Sequence, residues 1–454
     1  MRTRLRASLA LAALAAGAAV FSAAAPPQAA RPGAPPAATP PMGWNSWDCY
    51  GTSVTEAQVK ANAEYMAKHL LAHGWEYIVV DIQWSEPHPH AGGYNPEAHL
   101  EMDRYGRLIP AVNRFPSSAG GKGFRPLADY VHSLGLKFGI HIMRGIPRQA
   151  VAANTPVEGA SIHAADIANR YSLCPWNHDM YGVDMAKPGG QAYYDSIVGM
   201  YAAWGVDFLK ADDILRPIHR DEIAAIHKAI LKTGRPMVLS LSPGPARAED
   251  LEFLRGNANM WRVSDDFWDE WRLLRENFTL MGIWGGAGQP GAWPDGDMLP
   301  LGRIGILAER GTDRHTRFTP TEQRTVMSLW SIAQSPLIFG GDLPSNDDAT
   351  EALVTNDEVL AVDQKGSHGR EVFSSGSARI WAADAPSGGA KYVGVFNVGE
   401  RDQEIRIQWP ELGLPEACAV RDLWERKDMG AIRGGNTFHL APHASGLYKV
   451  TPVW

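Results

Sequence analysis

The stretch VTEAQVKANAEYMAKHLLAHGWEYIVVDIQW, residues 54–84, contains one complete structural unit. Val54, Val59, Ala63, Met66, Leu70 and Leu71 recur at helical spacing, and Gly74 stands where a helix would close in a left-handed cap. YIVV (77–80) then runs apolar without alternation, as a strand covered on both faces does. It ends on a carboxylate, Asp81, followed by Ile82, Gln83 and Trp84. A helix feeding a fully buried strand predicts a parallel sheet layered with helices.

The same kind of run recurs along the chain: MGWNSW (42–47), KFGIHIM (137–143), DFLKAD (207–212), MVLSLS (237–242), MWRVSD (260–265), a weaker run near GAW (291–293), and SPLIFGGD (335–342). With YIVVDI (77–82) they make eight, separated by amphipathic segments, which predicts a (β/α)8 barrel, α/β in class, over residues 40–364. Thr319, Pro320 and Glu322 have the capping-box arrangement that opens a helix. Polar residues sit at the C-terminal ends of the runs: Trp44, Asp81, His141, Lys210, Asp212, Ser242, Arg262 and Asp266. In a barrel those ends meet at one face, where active sites are built. A doubly wound open sheet is the alternative, but it would not need charged groups at so many successive strand ends.

From residue 365 to 454 the pattern changes to short alternating segments: RIWAAD (379–384), KYVGVFNV (391–398), EIRIQW (404–409), CAVRDLW (418–424), NTFHLA (436–441) and SGLYKV (445–450). These predict a C-terminal antiparallel β-sandwich domain. It carries no cluster of catalytic residue types, so a packing partner of the barrel is favoured over a carbohydrate-binding module.

At the other end, Arg2, Arg4 and Arg6 precede an Ala/Leu-rich run to about Ala25, the pattern of a signal peptide over residues 1–25. The run is too short and too alanine-rich for a good membrane span. A Pro/Ala-rich linker, 26–39, follows. The expectation is a secreted or periplasmic protein with no membrane association after cleavage. Net charge is −7 and there is no basic run, which argues against nucleic acid as a partner. The three cysteines, Cys49, Cys174 and Cys418, fit no zinc spacing and read as isolated thiols.

Two stretches offer chemistry. FLKADD (208–213) places Lys210 and Asp212 on one side of a strand and Asp213 on the other. A lysine beside a carboxylate favours its ionised form, which suits a nucleophile as well as it suits a structural ion pair. WRVSDDFWDEW (261–271) supplies Arg262, Asp265, Asp266 and Asp269, candidates for a general acid/base or for a helix cap. Paired carboxylates on neighbouring strands are the machinery of retaining glycoside hydrolysis. Asp295 and Asp297, in WPDGDML, read as sugar-binding or loop-binding acids, since Asp-Gly-Asp falls far short of a calcium loop. No metal or cofactor is expected.

Together these stretches resemble glycoside hydrolase family 27, the α-galactosidase (melibiase) family. PPMGWNSW, YIVVDIQW, FLKADD, WRVSDD, WPDGDML and SLWSIAQSPLIFGGDL stand in the family's order. The resemblance implies Asp212 as nucleophile, Asp266 as acid/base, and Trp44, Asp81, Lys210, Arg262 and Asp297 as sugar ligands. It also implies a glycoside or oligosaccharide substrate. Three positions depart from the usual α-galactosidase pattern: Ile82 replaces a second aspartate, His141 a tyrosine, and Ser242 a glutamate. With WDCYG and DIQW, this pattern is similar to a subgroup that includes β-L-arabinopyranosidases. β-L-Arabinopyranose is α-D-galactopyranose without its C6 hydroxymethyl, and Ile82 would pack against the ring where a carboxylate would have held O6. The rival expectations are a glycosidase for another α-linked sugar, such as an α-glucan or N-acetylgalactosamine, and a non-catalytic sugar-binding barrel.

Overall fold

The computed structural model describes residues 36–308 and 310–453; the predicted signal peptide, and the linker up to residue 35, lie outside them. Eight strands pair in parallel in the order of the chain: β1 (Met42–Asn45), β2 (Tyr77–Val80), β3 (Lys137–Met143), β4 (Phe208–Asp212), β5 (Val238–Leu241), β6 (Met260–Arg262), β7 (Trp293–Asp295) and β8 (Leu337–Phe339). β8 pairs with β1. The gap between β7 and β8 is bridged by Leu299, whose N–H donates to Ile338 O at 2.7 Å and whose carbonyl accepts from Gly340 N–H at 2.9 Å. The barrel is therefore closed by main-chain hydrogen bonds.

The segment that opened the sequence reading folds as its pattern requires. Thr55 caps helix α1 (Glu56–Tyr65) in a capping box with Gln58, and a π turn (Met66–Leu70) and a 3-10 turn (Leu71–His73) carry the chain to Gly74 at φ +95°. Thr319 caps α2 (Pro320–Ala333) through Glu322 in the same way.

Strand alternation sorts the wall of the barrel into two faces. Ile78, Val80, Ile140, Leu209, Leu239 and Trp261 join the large core between barrel and helices, whereas Tyr77, Val79, Phe208, Val238, Met260 and Trp293 form a second apolar cluster inside the barrel. The inward-facing set continues, two residues at a time, into Asp81, Lys210, Asp212, Ser242 and Arg262. The apolar floor and the polar site above it are thus one set of alternating positions.

Residues 367–452 form a six-stranded antiparallel sheet with a two-stranded sheet, Gln403–Gln408 and Gly435–Leu440, and an apolar core of their own. The sequence segments matched six of these strands. It missed Ser367–Ser375 and Lys427–Arg433, the two edges of the larger sheet, which are mostly exposed and so show no apolar alternation. The sheet packs on α2: Thr325 Oγ1 donates to His443 O at 2.6 Å, and Trp424 Nε1 to Ser328 Oγ at 2.9 Å. The last linker residues are not free of the barrel, since Ala37 O accepts from Trp293 Nε1 at 2.8 Å.

Candidate active site

A cavity of about 240 Å³ opens at the C-terminal ends of the strands. It is smaller than the roughly 300–1,000 Å³ of a drug-sized ligand site and suits one sugar ring. Asp81, Ile82, Lys210, Asp212, Ser242, Arg262, Asp266 and Asp297 all line it.

Its ionic groups are arranged in pairs. Lys210 Nζ donates to Asp81 Oδ2 at 2.8 Å, and Asn45 Nδ2 donates to the same oxygen at 2.7 Å. Burial would raise the Asp81 pKa, but the Lys210 charge, then His141, the Lys210 hydrogen bond and the Ile82 N–H, bring it below the ordinary carboxylate value. Lys210 in turn is held protonated: burial disfavours its charge, and the Asp81 and Asp212 carboxylates more than reverse that.

Asp212, at the end of β4, is 12% exposed at its side chain and accepts from His141 Nε2 at 3.1 Å. An ionised carboxylate only accepts, so the proton of this pair sits on Nε2. Burial alone would raise the Asp212 pKa. The His141 hydrogen bond, followed by the His141 and Lys210 charges, outweighs it and holds the carboxyl well below its usual range. Asp213 points the other way, as alternation requires, into Arg144 at 2.7 Å, and its N–H donates to Asp212 Oδ1 at 3.0 Å.

Arg262 forms the second pairing centre. Nη1 meets Asp297 at 2.7 Å and Nη2 meets Asp266 at 3.2 Å. Asp266 is the more accessible acid, 38% exposed at its side chain against 8% for Asp297. Burial pushes Asp297 up to about 7; Arg262 opposes this and the Asp266 and Asp295 carboxylates add to it. With Arg262 on one oxygen and the Phe267 N–H on the other at 2.7 Å, Asp297 is not arranged for a cation. Among the described residues no group of three or more His, Cys, Asp or Glu is placed to hold a metal.

Three residues that the sequence offered for the site do not line the cavity. Trp44 is fully buried on the helix-facing side of β1, with its Nε1 donating to Gly341 O at 2.7 Å, so it braces the wall and does not reach the pocket. Its parity is opposite to that of Asn45, which faces inward to Asp81. The tryptophan in the pocket is Trp47, stacked on Tyr94 with ring centroids 5.9 Å apart. His141 is not a wall of the cavity; it stands behind Asp212 and is 2% exposed. Asp269 is bound to Arg314 at 2.6 Å and lies outside the pocket.

The sequence reading also missed Asp48, which lines the cavity from the helical turn after β1, and Tyr94, Trp176, Arg216 and Arg310, which line it from loops. Asp48 lies one residue beyond the quoted MGWNSW and was legible in WDCYG; the others lie between the apolar runs, where no periodic signal marks them. The cysteines are free and buried, as expected.

Comparison with known proteins agrees with this geometry. Residues 178–365 match the family described as Alpha galactosidase A, and residues 375–450 match the Alpha galactosidase C-terminal beta sandwich domain. An α-galactosidase from Coffea arabica is 30% identical over 423 residues, covering 91% of this chain and 94% of that protein. The structure of a family 27 β-L-arabinopyranosidase from Geobacillus stearothermophilus is 55% identical and superposes with a TM-score of 0.90, covering 92% of this chain and 97% of the other. A Bacillus halodurans structure described as a candidate α-N-acetylgalactosaminidase is 48% identical, with a TM-score of 0.83, covering 91% of this chain and 98% of that one. A barrel whose inward carboxylates are paired in this way, a C-terminal sandwich, and relatives matched along nearly their whole length lead to one conclusion: the chain belongs to glycoside hydrolase family 27, the α-galactosidase (melibiase) family, and is a glycoside hydrolase.

Proposed function

We propose that this hydrolase is a retaining exo-glycosidase that removes terminal β-L-arabinopyranosyl residues and also cleaves α-D-galactosides. The observation that carries the substrate reading is Ile82, buried in the pocket wall directly after Asp81. A carboxylate there would bond the C6 hydroxyl of galactose, whereas isoleucine fills that space against a ring without C6. An apolar wall rejects an added hydroxyl by only about a hundredfold, so galactoside cleavage persists. The likeness to the Geobacillus enzyme, which has also been solved as a variant with arabinose bound, supports the same reading.

In this mechanism Asp212 attacks the anomeric carbon and Asp266 protonates the leaving oxygen. Asp266 then takes a proton from the water that releases the sugar. The support for Asp212 as nucleophile is a carboxylate held ionised by His141 and Lys210. The support for Asp266 is its accessibility at the cavity mouth beside Arg262. Asp81, Lys210, Arg262 and Asp297 hold the ring. Asp212→Asn is expected to abolish turnover in a folded protein, and NMR of the first-formed anomer should show retention; inversion would exclude the mechanism.

The specificity test compares nitrophenyl β-L-arabinopyranoside with α-D-galactopyranoside, using the wild type and Ile82→Asp. A swing of the variant toward galactoside supports the assignment; a wild type that prefers galactoside, with little change in the variant, excludes it. A second reading, α-N-acetylgalactosaminidase, is favoured by the small Ser242 side chain in the wall and the likeness to the Bacillus halodurans chain. The corresponding N-acetylgalactosaminide, run beside the other two substrates, separates it. Export is proposed from the N-terminal sequence alone, and N-terminal sequencing of the protein from culture medium and periplasm tests it.

A further inference from the structure

Asp48 belongs to the single helical turn Trp47–Tyr50 that follows β1, and its side chain lines the cavity. It is 3% exposed. The other buried ionic groups of the pocket have partners: Asp81 has Lys210 and Asn45, Asp212 has His141, and Asp266 and Asp297 share Arg262. Among the described residues Asp48 has none, and its Oδ2 is buried without a hydrogen bond. That oxygen lies against Gly340, where a Cβ would come within 2.0 Å of it. The barrel thus makes room for this carboxyl at the end of β8 without giving it a partner.

A buried polar group left unpaired costs about 1–3 kcal/mol, and native structures keep few of them. With Oδ2 shut off against Gly340, the partner left to this carboxyl is a ligand in the cavity that Asp48 lines, met through Oδ1. We propose that Asp48 hydrogen-bonds a ring hydroxyl of the bound glycone and so helps determine which pyranoses the enzyme accepts.

The proposal rests on the reading that this cavity takes a pyranose, and it adds a specificity residue to that reading. Burial, followed by the nearby Asp297 carboxylate, raises the Asp48 pKa well above the ordinary value, with Lys210 opposing. Burial thus favours the neutral carboxylic acid, whose Oδ1 can either donate to or accept from a hydroxyl. Where Ile82 gives the ring only apolar contact, Asp48 offers a polar one.

The test is a cycle between the side chain and the sugar hydroxyls. Calorimetry measures the binding of L-arabinose and its 2-, 3- and 4-deoxy analogues to the wild type and to Asp48→Ala. The expected result is at least tenfold weaker L-arabinose binding by the variant. One deoxy analogue should lose at least tenfold on the wild type but almost nothing further on the variant. Asp48→Asn, which keeps both a donor and an acceptor, should restore most of the affinity. Equal losses for every analogue on both proteins, or unchanged L-arabinose binding by Asp48→Ala, overturns the proposal. Should Asp48→Ala fail to fold, Asp48→Ser carries the same cycle. Wild-type hydrolysis of the nitrophenyl glycosides reports separately on the parent reading. Turnover without coupling at Asp48 removes this assignment alone, while a wild type that neither cleaves these substrates nor binds L-arabinose or D-galactose removes both.

Discussion

Replacing His141 with leucine tests how the active-site carboxylate is kept ionised. In the native protein burial pushes the Asp212 pKa up, and the His141 hydrogen bond at 3.1 Å leads the effects that bring it down. A hydrogen bond to a charged group contributes about 1.5–3 kcal/mol. At about 1.4 kcal/mol per pKa unit, its loss raises the Asp212 pKa by roughly 1–2 units. The sign follows directly. As the proposed nucleophile Asp212 must be deprotonated, so activity should fall as pH drops through its pKa, and raising that pKa should move the acid limb of kcat/KM to higher pH. The same shift affects stability. A depressed folded-state pKa stabilises the protein above the unfolded value of about 3.9 and loses that contribution as pH falls through the folded value, so His141→Leu should also unfold more readily near neutrality. The assay is the pH profile of kcat/KM for wild type, His141→Leu and His141→Gln, each checked by thermal unfolding. Glutamine keeps a donor and should recover much of the shift. An acid limb that stays in place in His141→Leu, in a folded enzyme, refutes the reasoning.

Arg144→Met should be among the most damaging substitutions to stability. Arg144 is 2% exposed and pairs with Asp213 at 2.7 Å and Glu222 at 2.9 Å, so its removal strands two buried acids at a cost of about 3–5 kcal/mol, read by urea unfolding. Trp47→Ala removes a stacking wall at the pocket and should lower kcat/KM by about tenfold, since an aromatic pair contributes about 0.5–1.5 kcal/mol beyond its area, with little change in the unfolding temperature. Thr319→Ala deletes the cap of α2 and should lower stability by about 1 kcal/mol while leaving kcat/KM unchanged, because neither residue of that capping box lines the pocket.

The barrel was legible because a buried parallel strand must be apolar on both faces: seven of the eight quoted runs contain a strand of the closed sheet, and the weaker one, GAW, reaches β7 at Trp293. The paired residues of the site were legible for a related reason. Lys210 and Asp212 are two residues apart on one strand, so they share a face, and Asp213 could be assigned to the other. The same parity, applied to β1, would have excluded Trp44 and selected Asn45. What alternation cannot reach is the rim. Trp176 and Arg216 enter the pocket from segments whose shape is set by tertiary contacts, with no local period that marks them. Edge strands escaped for the complementary reason: an exposed strand needs no apolar face.

The pairing of charges also bears on how substrate preference can change without loss of chemistry. Asp81 with Lys210 and Asp297 with Arg262 neutralise one another inside the barrel, His141 holds Asp212 by a hydrogen bond, and removing any one partner leaves a buried charge exposed to the desolvation cost. Substitutions at these positions therefore alter catalysis and stability together. Ile82 and Asp48 stand outside those pairs. The contact Ile82 makes within the network is through its main-chain N–H, which donates to Asp81 Oδ1 at 2.8 Å and survives any change of side chain except proline. Asp48 has no side-chain partner to strand. Both can be exchanged while the three pairs stay in place, so on the proposed reading Ile82 is the position where a barrel of this kind can switch between a ring with and a ring without C6, and Asp48 one where its hold on a hydroxyl common to both rings can change. Ile82→Asp is accordingly expected to change the ratio of kcat/KM between arabinopyranoside and galactoside, and Asp48→Ala to lower both values alike, each leaving the acid limb of the pH profile where it is. His141→Leu should do the reverse. If all three variants move both quantities together, specificity and catalysis are not separable in this pocket, and the division drawn from the pairing is wrong.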